Sequence, residues 1–174
     1  THHASSAASD VYKRQGAINE NGSAIFANAN LKLLQEEHNY WTTKSFSSDE
    51  INGKDWSNLA KKVLSAYGER LELLSNNADI ISGVSIIPLP GHTPGHAGFR
   101  VDDGNESMFH MGDIIHVPKL QLKDPNICTL FDVDAESALK SRKYALDMAA
   151  SDSLLCTSGH MSVSYTHLRA HETG

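Results

Sequence analysis

The sequence predicts a mixed α/β fold, and three observations carry that prediction. Between Trp56 and Leu74, apolar residues recur at three- and four-residue steps, the period of an amphipathic helix. From Ile80 to Met111 the pattern changes to short β-branched runs, separated by Ser82-Gly83 and by Asp102-Asp103-Gly104-Asn105. Such runs and turns are the chemistry of hairpins. After Asp134 a helical pattern returns, and a last apolar run ends at Cys156. Helices and strands therefore mix, with hairpin-type connections rather than a purely parallel winding.

In chain order, Gly16 to Asn30 is polar and rich in Gly and Asn around Ala24-Ile25-Phe26, and reads as a loop. A strand follows through Ala29 to Leu34, then a short helix over Gln35 to Trp41. Thr42 to Lys54, rich in Ser, Thr, Asp and Asn, reads as a surface connection. The next helix carries Trp56, Ala60, Val63, Leu64, Tyr67, Leu71 and Leu74 on one stripe. Gly68 lies inside that stripe at a cost of ~1 kcal/mol relative to Ala, which the stripe overrides. Its Lys61, Lys62, Glu69 and Arg70 read as a solvated face.

Ile80-Ile81 and Val84 to Leu89 are expected as two short strands, with Ala97 to Val101 and Ser107 to Met111 as hairpin arms. Ile114-Ile115-His116-Val117 leads into a Pro-containing loop as far as Asp132. Asp134 is a good N-cap for a helix from Ala135 to about Ala150, with Glu136 favourable in its first turn. Ala138, Leu139, Ala145, Leu146 and Ala149 give that helix a buried side, and Leu154-Leu155-Cys156 is a final short strand.

The two ends read differently. Encoding Asp10 to Gln15 as GAT GTG TAT AAG AGA CAG gives the reverse complement CTGTCTCTTATACACATC. Read from its third base, this translates to Val-Ser-Tyr-Thr-His and begins Leu, which is Val163 to Leu168. An inverted repeat of this kind resembles a sequencing-library transposon adaptor flanking an insert. Residues 1–15 and 162–174 are therefore expected to be non-native and are set aside from fold reasoning, His2 and His3 included. Residues 16–161 remain, enough for one domain with a real core.

The chain carries a formal net charge of −6, and trimming the ends leaves it acidic. That argues against a nucleic-acid or anionic-membrane partner, either of which needs a basic surface. No apolar run approaches the ~18 residues of a spanning helix. Cys128 and Cys156 are too few and too far apart for a disulfide framework or a metal knuckle, and are expected as buried, inert thiols.

The chemistry concentrates at three strand ends. Pro90-Gly91-His92-Thr93-Pro94-Gly95-His96 follows one strand, Met111-Gly112-Asp113 a second, and Thr157-Ser158-Gly159-His160 a third. Each places a metal-ligand side chain beside a glycine that lets the backbone turn tightly. The prolines stiffen the His92 turn, and an imidazole held there is a good ligand because its other nitrogen can be fixed by a backbone or carboxylate partner. The bland alternatives are a structural His92, a turn residue at Asp113 and an exposed loop histidine at His160. His96 is assigned a structural or supporting role, His110 and His116 a packing or hydrogen-bonded one, and His38 a solvated one. Tyr40, Trp41 and Phe131 serve equally as pocket wall or as core.

At these residues the sequence resembles the metallo-β-lactamase-fold hydrolases, with Gly91-His92-Thr93-Pro94-Gly95-His96, Met111-Gly112-Asp113 and Ser158-Gly159-His160 as the matching pieces. The helix of Trp56, Gly112 to Val117, Phe131-Asp132-Val133-Asp134, and Ser141-Arg142 before Leu146-Asp147 resemble the branch of methyl parathion hydrolase and quorum-quenching lactonases. The resemblance implies an αββα sandwich, here with its N-terminal part missing, and two metal ions, usually zinc, at one edge. His92 would bind the first ion, His160 the second, and Asp113 would bridge them. A bridging hydroxide would then cleave an ester, lactone or phosphotriester in a small-molecule substrate. Manganese, cobalt or iron suit the same ligands.

The family's His-x-His-x-Asp-His motif, which supplies four further ligands, is absent. The expectation is a fragment that binds zinc weakly or partially and is inactive. The rival readings are a binding or structural module with a degenerate metal site, and a glyoxalase-II-like thioesterase.

Overall fold

The computed structural model describes residues 16–47, 53–76 and 78–161, with the backbone of 166–167. The chain forms two compact units that meet in sequence at Leu74 and Ser75. Helices and strands mix as expected. The adaptor-like ends lie outside the described residues, apart from those two backbone positions.

In the first unit, strand β1 (Leu31–Leu34) runs directly into helix α1 (Gln35–Thr43), and helix α2 (Gly53–Tyr67) is followed by strand β2 (Leu71–Leu74). β1 and β2 pair in parallel from Leu31↔Leu71 to Leu34↔Leu74. The pairing corrects one expectation. The apolar stripe of α2 ends at Tyr67, and Leu71 to Leu74 are strand, not helix. Gly68 is no tolerated interior glycine: at φ +48° it leaves the helical region and opens a single 3₁₀ turn, Gly68–Arg70. Leu-Glu-Leu-Leu satisfies either period, and pairing with β1 decides between them.

Arg70 is likewise not part of a solvated face. Its Nη1 donates to the carbonyls of Phe26 (2.8 Å), Ala27 (2.7 Å) and Ala29 (3.2 Å), clasping the preceding loop. Trp41 is core: it stacks on Phe46 at 5.5 Å and donates its indole N–H to Glu37. His38 is half-buried with its Nδ1 shielded, rather than solvated.

The second unit is built on six strands in the order β3 (Asp79–Ile81), β4 (Val84–Pro88), β5 (Ala97–Asp103), β6 (Glu106–His110), β7 (Leu155–Thr157) and β8 (Thr166–His167). Neighbours are antiparallel except β6 and β7. The expected hairpin forms with Gly104 and Asn105 between β5 and β6, Gly104 taking φ +61°. The crossover from β6 to β7 carries a short helix, α3 (Pro118–Gln121), within what the sequence reads as a loop, and then α4 (Ala135–Ser151). Asp134 caps α4 as expected, accepting from the amides of Glu136 (3.0 Å) and Ser137 (3.1 Å). Ala138, Ala145, Leu146 and Ala149 of α4 share one buried cluster with Leu89, Phe109, Met111, Ile114, Ile115, Leu154 and Cys156. Cys156 lies in that core, whereas Cys128 is only half-buried.

The topology positions the site. β4 and β6 are each antiparallel to β5, and β7 is parallel to β6, so β4, β6 and β7 run in one direction. The segments that follow them therefore leave the sheet at the same end, and these are the segments of His92, Asp113 and His160.

Candidate metal centre

The His92 turn is fastened to the start of α4. Asp134 donates its amide to Gly91 O (2.9 Å), Val133 to His92 O (3.2 Å), and the Ser141 hydroxyl donates to Pro90 O (2.6 Å). Gly91 takes φ +131°, and a Cβ there would lie 2.0 Å from the Ala138 nitrogen. Only glycine lets the turn sit this close to the helix. His92 is buried, at 5% exposure.

His96 performs the supporting role expected of it. Its Nε2 accepts the Asp113 amide (2.9 Å), so Nδ1 carries the proton and donates to Leu89 O (2.8 Å). The ring thereby ties the His92 turn to the Asp113 loop. Gly112, at φ +59°, leaves room for that ring: a Cβ would come 2.5 Å from its Nε2. Met111 N to Thr157 O (2.8 Å) and Gly159 N to Gly112 O (3.0 Å) join the Asp113 and His160 loops. His160 Nε2 lies 3.5 Å from Asp113 Oδ1. His110 packs elsewhere, stacked on Phe99 at 4.9 Å.

Three residues without an assigned site role in the sequence reading stand beside these. The His116 ring lies 4.7 Å from that of His92, 4.5 Å from His160 and 5.9 Å from Phe131. Its amide and that of Val117 donate to Gln121 Oε1 (2.7 and 2.8 Å), so α3 sets its position. The expectation that His116 merely packs is too narrow, since it sits between two candidate ligands. Asp132 places Oδ1 3.5 Å from His92 Nδ1, while Oδ2 accepts from the Thr129 amide (3.1 Å) and from Arg142 Nη2 (3.3 Å). Arg142 is fully buried, and also donates to Ile114 O, Pro125 O and Ile127 O. Phe131-Asp132 and Ser141-Arg142 are visible in the sequence, but only folding reveals that they back the His92 turn.

The electrostatics favour neutral imidazole and ionised carboxylate. Burial, then the neighbouring His92 and His160, push the His116 pKa down to about 3. Burial pushes Asp132 up, but the His92 ring, the Thr129 amide and the Arg142 charge outweigh it and hold the carboxyl below its ordinary value. These are the forms that ligate metals. His92 Nδ1, both ring nitrogens of His116 and Asp132 Oδ1 are buried without a hydrogen-bond partner among the described residues. Both His–carboxylate separations also fit a metal. Ligands about 2.1 Å from one tetrahedral ion lie roughly 3.4 Å apart, whereas N–H···O bonds cluster near ~2.9 Å.

The metallo-beta-lactamase superfamily model matches residues 35–160, which span all of these segments. The chain belongs to the metallo-beta-lactamase superfamily. Solved structures agree on the fold. AidC, a dizinc quorum-quenching lactonase in complex with its product, superposes with a TM-score of 0.79 at 22% identity, over 90% of this chain and 57% of its own. The hydrolase AbOPH gives 0.74 at 23% identity, over 86% of this chain and 54% of its own. A probable metal-dependent hydrolase from Staphylococcus aureus gives 0.67 at 22% identity, over 83% and 49%. This superfamily chain thus spans about half the length of the structures it resembles, and at these identities the likeness is one of fold. A comparison with curated proteins returned no match.

Proposed function

We propose that residues 16–161 are part of a dinuclear metal-dependent hydrolase of the lactonase and phosphotriesterase kind, flanked by non-native ends. His92 would hold the first ion and His160 the second, with Asp113 as a ligand they would share. The observation that carries this reading is the convergence of the three residues at one end of the sheet, with His160 Nε2 3.5 Å from Asp113 Oδ1. The names of AidC, a dizinc lactonase, and AbOPH, a hydrolase, support it by analogy of fold. Zinc is the favoured ion, and manganese, cobalt or iron suit the same donors.

When bound, the ions supply an acidified water and an electrophile for the scissile carbonyl or phosphoryl oxygen. The chain's own residues do the positioning. The stiff turn presents the His92 imidazole. Asp113 has two oxygens to offer, and His96 holds its backbone amide. Phe131, stacked on His116, would serve as an apolar wall for an ester, lactone or phosphotriester.

His92, His160 and Asp113 leave each ion short of the three or four protein ligands a stable site needs. The chain alone is therefore expected to hydrolyse neither an N-acyl homoserine lactone nor an aryl phosphotriester in zinc, manganese or cobalt. Sequencing the source DNA upstream of Gly16 should then find His-x-His-x-Asp-His in frame, and the polypeptide extended to include it should hydrolyse one of those substrates. Tight binding of two ions by the present chain, or native upstream sequence without the motif, would overturn the reading.

A further inference from the structure

We propose that His92, His116 and Asp132 form a cation site of their own, taking one divalent transition-metal ion per chain through His92 Nδ1, a ring nitrogen of His116 and Asp132 Oδ1. This site shares His92 with the dinuclear centre but neither Asp113 nor His160, so the two assignments are tested separately.

One ligand atom from each of the three residues lies within 4.8 Å of the other two. The His92 and Asp132 side chains are 6% and 0% exposed. The same three residues hold buried atoms left without hydrogen bonds among the described residues: His92 Nδ1, both ring nitrogens of His116 and Asp132 Oδ1. Buried polar atoms without partners are rare because each forfeits its hydration for nothing, and one ion satisfies three of these four together.

Asp132 is fixed for the task. Arg142 and the Thr129 amide occupy Oδ2, which leaves Oδ1 directed at His92. The 3.5 Å between Oδ1 and Nδ1 is long for a hydrogen bond and close to the edge of a tetrahedral zinc or cobalt site. Ligands on one ion stand at most ~4.2 Å apart, so a pair at the 4.8 Å limit would close by roughly half an ångström on binding. Two imidazoles and a carboxylate suit Zn²⁺ or Co²⁺ and leave a fourth position for water.

The test is a Co²⁺ titration of the purified, chelator-treated chain, followed by visible d–d absorption, with Zn²⁺ displacement as a second readout. One equivalent should bind with the absorption of a four-coordinate ion. His116→Ala and Asp132→Asn should each weaken binding by about tenfold or more. Circular dichroism of each variant checks that it folds. If Asp132→Asn does not fold, because Arg142 loses its partner, His116→Ala decides alone. Full binding by folded His116→Ala overturns the inference, since Asp132 then only orients His92. Binding lost in Asp113→Asn or His160→Ala but kept in His116→Ala also overturns it, while leaving the dinuclear proposal standing. A folded chain that binds no cobalt overturns it as well.

Discussion

Arg142→Met isolates the contact that supports the His92 turn. Arg142 is fully buried and serves four oxygen acceptors, Ile114 O at 2.9 Å, Pro125 O at 2.8 Å, Ile127 O at 2.9 Å and Asp132 Oδ2 at 3.3 Å, besides a 3.8 Å contact to Cys128 Sγ. Methionine keeps much of the side-chain bulk and removes every donor. Ile127 O retains the Gln121 amide at 3.0 Å, so that carbonyl loses least. The Asp132 carboxylate, also fully buried, keeps only the Thr129 amide at 3.1 Å on Oδ2. Removing one partner of a buried ion pair costs about 3–5 kcal/mol, because the other charge stays desolvated. At a few degrees per kcal/mol for a chain of this size, the melting temperature should fall by roughly 6–20 °C. Urea titration of wild type, Arg142→Met, Asp132→Asn and the double variant measures both the loss and the coupling. The double variant should cost less than the sum of the single ones, by about 1–3 kcal/mol. A single-variant loss below about 1 kcal/mol, or additive losses, would refute the account of Arg142 as the anchor of Asp132.

Three further outcomes follow from the geometry. Gly91→Ala should destabilise the second unit by about 2–4 kcal/mol or prevent folding, through left-handed strain and overlap with α4. Gly104→Ala, also at positive φ but in open space, should cost only about 1–2 kcal/mol in the same denaturation assay; equal losses would contradict the close approach. Thiol titration of the native chain should modify Cys128 and spare Cys156, whose pKa burial pushes up to about 11, with both reacting after denaturation. In chelator, stability should fall as the pH is lowered from 6.5 towards about 3. The unfolded chain protonates His116 near 6.5 while the folded chain keeps it neutral to about 3, so the unfolded state binds more protons across that window. His116→Asn should flatten this part of the melting-temperature profile, and an unchanged profile would show that His116 is not held neutral.

What the sequence determined by itself is local. Asp134 announces the start of α4 because an N-cap needs only the next turn's amides. Gly104-Asn105 announces its hairpin because the turn's backbone requirement is met by the residues in it. Three motifs at strand ends were enough to name the family. Tertiary structure decided whatever depends on a partner distant in the chain. Leu71 to Leu74 fits helix or strand until β1 supplies a row of amides and carbonyls to pair with. His116 reads as a packing residue until the crossover brings it between His92 and His160, and Asp132 and Arg142 have no visible role until α4 docks on the His92 turn. The physical division is one of range: caps and turns close within a few bonds, so composition specifies them. Burial and charge pairing depend on what the fold delivers from about 15 to 50 residues away, as Ile127 and Pro90 show for Arg142 and Ser141.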